Sequence, residues 1–69
     1  MHQFTVNEIN LICLYEGTNR LDTIREINHM MRYLLPDERE LRELAQSAVA
    51  KLKRISDQEY DAFLRINFS

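Results

Sequence analysis

Leu41, Leu44, Ala45, Ala48, Leu52 and Ile55 recur at alternating steps of three and four, the spacing that lines apolar side chains along one side of an α-helix. No other feature limits the fold so tightly, because a helix over residues 38–54 with one apolar stripe has to be covered by other elements. Ala45 and Ala48 in mid-stripe let such an element approach closely. Asp37, Glu38, Glu40 and Glu43 gather at the start of this segment and Lys51, Lys53 and Arg54 at its end, as the helix dipole prefers. Glu38 and Arg42 make a favourable pair one turn apart. Pro36 disfavours helix at the residue before it, and Asp37 with Glu40 supplies a capping pattern.

The cover comes from both sides. Upstream, Thr5 followed three residues later by Glu8 is a capping box, with Phe4 and Ile9 as its hydrophobic staple. The spacing predicts a helix over residues 6–16 ending at Gly17, the only glycine, taken as the left-handed residue that closes it. Val6, Ile9, Ile12 and Cys13 form one stripe of this helix, while Leu11, Leu14 and Tyr15 fall on another. A second helix, capped by Asn19 or Asp22, runs to about residue 35. Its inner face is expected to hold Leu21, Ile24, Ile27, Met31, Leu34 and Leu35, with Asn28 as a polar intruder at the centre. Its outer face carries Asp22, Arg25, Glu26, His29 and Arg32.

Downstream, Ser56 and Glu59 repeat the capping box, and Ile55 can staple to Tyr60. A short helix over residues 57–65 would place Tyr60, Phe63 and Leu64 on one face, with Ile66 to Ser69 frayed. The fold class is therefore all-α: a compact three-helix bundle with a short fourth C-terminal helix, in a single small helical domain over residues 1–69.

A chain of 69 residues with 45% apolar and 29% charged residues builds one thin core. A net charge of −2 argues against a protein that coats nucleic acid, which needs clustered and uncompensated Lys and Arg. One cysteine excludes an internal disulfide framework and suits a reducing compartment. No apolar run approaches the ~18 residues of a membrane span, and Met1-His2-Gln3 does not read as the charged start of a signal peptide. A cytoplasmic location, with no membrane association, is expected.

Few residue sets point to chemistry. Cys13 as a nucleophile would need a neighbouring base; its place between Ile9 and Ile12 reads instead as a small buried hydrophobe. One Cys with the distant His2 and His29 does not make a structural zinc site. The acids at 37–40 read as a solvated helix start, and a single glycine rules out a Gly-rich phosphate loop. No catalytic residue, metal ligand or cofactor is expected. A helix-turn-helix about Gly17 fails in register, because Glu16, Thr18, Thr23 and Glu26 would occupy its apolar positions.

Two surfaces remain. Arg25, His29 and Arg32, at steps of four and three, could contact an anion, nucleic acid or a partner's carboxylates; the plainer reading is a solvated face. Leu11, Leu14 and Tyr15 are either covered by Tyr60 and Phe63 or exposed as a surface for another protein.

The segment Phe4-Thr5-Val6-Asn7-Glu8-Ile9-Asn10-Leu11-Ile12-Cys13-Leu14-Tyr15, the turn Gly17-Thr18-Asn19-Arg20, Pro36-Asp37-Glu38 with the Leu/Glu-rich helix after it, and Ile55-Ser56-Asp57-Gln58-Glu59-Tyr60 also occur in a family order. Over residues 4–63 the chain resembles the putative transposon-transfer assisting proteins, small proteins carried by conjugative transposons of Gram-positive bacteria. The resemblance implies a non-enzymatic helper in transfer or maintenance of the mobile element, whose partner is another protein of the transposon machinery. The alternative is a nucleic-acid-binding accessory or regulatory protein using Arg25, His29 and Arg32, with Lys51, Lys53 and Arg54.

Overall fold

The computed structural model describes residues 4–68, Phe68 by its backbone alone. Expectations placed on Met1, His2, Gln3 and Ser69 lie outside these residues. All regular structure among the described residues is helical: α1 (Val6–Leu14), α2 (Arg20–Met31), α3 (Arg39–Arg54) and α4 (Asp57–Phe68). α3 packs against both α1 and α2. Ala45 and Ala48 on α3 are fully buried with Val49 and Leu52, so short side chains let two neighbours close on one central helix. α4, expected to be short and to fray after residue 65, is a helix of 12 residues, longer than the 9 of α1.

Buried Leu11, Ile12, Ile24, Ile27, Ala45, Ala48, Val49, Leu52, Ile55 and Tyr60 form one cluster drawn from every helix. Each large aliphatic side chain among them stabilises the fold by about 1.5–3 kcal/mol. Phe4, Tyr15, Met30, Met31, Leu41, Leu44, Phe63 and Leu64 pack against its edge.

The capping boxes form as read. Thr5 Oγ1 accepts from the Glu8 amide and Glu8 Oε1 from the Thr5 amide; Ser56 and Glu59 do the same for α4. Asn19 caps α2 by accepting from the Asp22 amide at 2.8 Å.

Other boundaries differ. α1 ends at Leu14, where the Tyr15 amide is shared between the Leu11 and Ile12 carbonyls, and Gly17 does not take a positive φ. Glycine is required there for room: a Cβ would lie 2.5 Å from Asp22 Oδ2 and 2.9 Å from Asp22 Cβ. α2 stops at Met31, before the residue-35 end expected from Pro36, because amides 32, 33 and 34 each bond three residues back. Leu35 and Glu38 then close a turn with Pro36 at its second position, where its fixed φ fits. The Glu38 carboxylate turns back to the Leu35 amide, so α3 begins without the Asp37/Glu40 side-chain cap.

Candidate functional site: the outer face of α2

The side chains that set the faces of α1 and α2 are partly polar. On α1, positions 8, 11, 12 and 15 span an arc of about 100°, and this arc faces inward: Glu8, Leu11 and Ile12 are buried and Tyr15 half-buried. Cys13, expected inside, is exposed, as is Val6. Glu8 is only 2% exposed. Its Oε2 accepts from Ser47 Oγ at 2.6 Å and its Oε1 from Lys51 Nζ at 2.7 Å, while the same Oε1 caps α1. Burial by itself would raise the Glu8 carboxyl; the bonds from Lys51, Ser47 and Thr5 outweigh it and hold the group below its ordinary 4.5.

α2 is turned toward Thr23, which is fully buried. Thr23 Oγ1 accepts from the Gly17 amide and donates its only proton to the Asn19 carbonyl, so Tyr60 is the donor in the 2.7 Å contact between the two hydroxyls. Burial pushes the Tyr60 phenol above its usual 10.0 despite the Thr23 bond, with Glu16 and Asp61 adding to the rise. Arg20 reaches two other helices, donating from Nε to Asp57 Oδ1 at 2.9 Å and from a terminal nitrogen to the Leu52 carbonyl at 3.0 Å. This second bond satisfies a carbonyl in the last turn of α3, which the helix itself leaves open.

With Thr23 inside, Leu21 and Asn28 rotate out. Leu21 is 60% exposed, and Asn28, expected at the centre of the inner face, is exposed. Leu21, Ile24, Arg25, Asn28, His29 and Arg32 line one open depression along α2. The structure thus brings Arg25, His29 and Arg32 together as their spacing predicts, and places an apolar rim and floor beside them. Asp22 is drawn aside: its Oδ2 accepts from the Thr18 amide and hydroxyl, bonds that hold its carboxyl below the usual value. Its other oxygen lies 3.8 Å from Arg25. Beyond the end of α2, the Tyr33 ring meets His29 edge-on at 5.2 Å and is 73% exposed.

The stripe of Leu11, Leu14 and Tyr15 does not survive as one surface. Leu11 joins the same buried cluster as Tyr60, Tyr15 and Phe63 pack against that cluster, and Leu14 alone points out, 78% exposed. Of the three α3 bases assigned to nucleic acid, Lys51 is held by Glu8 and lies 5.8 Å over the Phe4 ring, while Lys53 and Arg54 are exposed. Sequence reasoning missed Leu21 as a surface residue. Nothing local marked it: the residue that turns the helix, Thr23, is satisfied in part by Tyr60, 37 positions away.

No helix among the described residues is long and apolar enough to cross a membrane. Residues 4–66 match the family model described as putative transposon-transfer assisting protein. No curated protein and no solved structure matches the chain.

Proposed function

The chain belongs to the putative transposon-transfer assisting protein family, and on that premise we propose that it is a non-enzymatic helper that binds another protein of a conjugative transposon's transfer machinery on the cytoplasmic side. One observation carries this reading: the outer face of α2 combines exposed Leu21 with Arg25, His29 and Arg32 and is bordered by exposed Tyr33. Arginine and tyrosine beside an apolar rim are the composition of protein-docking surfaces. The groups with shifted acidity, Glu8, Asp22 and Tyr60, each hold one part of the fold to another, which supports structural roles for them.

Deleting the gene from an otherwise intact element tests the proposal. Transfer frequency should fall, return with the wild-type gene, and not return with Leu21→Asp or with Arg25→Glu/Arg32→Glu. Undiminished transfer from the deleted element would sink it. The nucleic-acid reading makes a different prediction: salt-dependent binding to the element's DNA that is lost with Arg25→Ala/Arg32→Ala. A titration that shows no binding at low salt removes it.

A further inference from the structure

We infer that the occupant of the α2 face is an acidic amphipathic helix of the partner protein, an inference that rests on the docking reading above. The lining contains two arginines and a histidine and no carboxylate. Asp22, the nearest acid on α2, is committed to Thr18 and meets Arg25 only at 3.8 Å, and exposed Glu26 does not line the depression. The complement to this face is therefore negative charge. Arg25 and Arg32 stand seven residues apart, about 10.5 Å along the axis, with His29 between them. A helix laid along α2 with Asp or Glu seven residues apart puts one carboxylate at each arginine.

Shape argues for a helix in particular. The face is a shallow, open depression along one helix whose backbone bonds are internal, so it offers no edge for strand addition. Side-chain ridges of a second helix can settle between those of α2. Leu21, 60% exposed, and Ile24 beneath it would then meet Leu- or Ile-like residues between the partner's carboxylates. Duplex nucleic acid would leave these apolar atoms and Tyr33 against phosphates, and the net charge of −2 would oppose it.

A photoreactive residue tests the geometry in cells carrying the element. Asn28→p-benzoylphenylalanine places the probe in the depression, and Leu14→p-benzoylphenylalanine places one on a different helix. The expected product from position 28 is a peptide from an element-encoded protein, with two acids seven residues apart flanking apolar residues. Its yield should fall about tenfold with Arg25→Glu/Arg32→Glu, while circular dichroism shows the helical fold retained, because both arginines are exposed and Arg25 gives up only a 3.8 Å pair with Asp22. A product with DNA, a peptide lacking that acidic pattern, or a yield indifferent to charge reversal overturns the inference. If position 28 stays silent while position 14 crosslinks an element protein, the α2 face is wrong and the helper reading stands. Silence at both positions, with transfer unaffected by deletion, overturns both.

Discussion

The Glu8 carboxylate and the Lys51 ammonium, 43 positions apart, meet at 2.7 Å between α1 and α3. Glu8 is buried to 3% of its side chain and Lys51 keeps 29% exposure, so the acid pays most of the desolvation and the base reaches it from the rim. Ser47 and the Thr5 amide fill further acceptor sites on the carboxylate. Breaking such a pair from one side is costly because the other side stays buried and charged.

Glu8→Ala should destabilise the protein by about 3 kcal/mol, because it takes the acceptor from the Thr5 amide, Ser47 and Lys51 at once. Lys51→Met, which leaves Ser47 and Thr5 bonded to the carboxylate, should cost less. Urea unfolding monitored by circular dichroism separates the two. Equal midpoints for Glu8→Ala and the wild type would show that the pair contributes nothing.

The depressed Glu8 acidity constant gives stability a pH dependence of definite sign. Folding favours the ionised form, so the contribution is present above the ordinary value of 4.5 and is lost as pH falls through the lower folded-state value. The gap between the melting temperatures of wild type and Glu8→Gln, measured from pH 7 down to pH 3, should narrow toward the acid end. A constant gap across that range contradicts the assignment.

At Thr23 the outcome turns on the hydroxyl rather than on volume. Thr23→Val keeps the shape but leaves the Gly17 amide and the Tyr60 hydroxyl without their partner, a loss of about 2 kcal/mol. Thr23→Ser should retain most of the stability. If Val and Ser variants unfold at the same denaturant concentration, the shared hydroxyl is not what holds α2 to α4.

Gly17→Ala should destabilise the α1–α2 turn by about 1–2 kcal/mol through overpacking, since its Cβ would press on the Asp22 side chain. In Gly17→Ala/Asp22→Ala the carboxylate at 2.5 Å is gone while the Cβ at 2.9 Å stays, so the obstruction is relieved in part and the two effects should combine to less than their sum. Additive losses in a double-mutant cycle would argue that the turn rejects alanine for another reason.

What the sequence made legible was local. The Thr5/Glu8 and Ser56/Glu59 boxes and the Asn19 cap each close within three residues, and the α3 stripe is a repeat of like side chains. The hidden features depend on partners far along the chain: Ser47 for Glu8, Tyr60 for Thr23, Asp57 for Arg20. A polar residue buried with a remote partner looks, in a periodicity argument, like a surface residue. That error turned the expected inner face of α2 toward Leu21 and Asn28, and divided α1 into stripes that separated Leu11 from Ile12. The Arg25, His29 and Arg32 cluster was visible because it lies on one helix; its apolar neighbour Leu21 was not, because the rotation of that helix is fixed from α4.

Arg20 and Thr23 fasten the first turn of α2 with directional bonds to α3 and α4. Its last turns are seated by Ile27, Met30 and Met31, whose contacts have no preferred direction and, for methionine, adapt readily in shape. The helix is thus held by directional bonds at its first turn and by apolar packing beyond it. A body docking along Arg25, His29 and Arg32 would therefore lie over the part of α2 that apolar packing alone seats on the core.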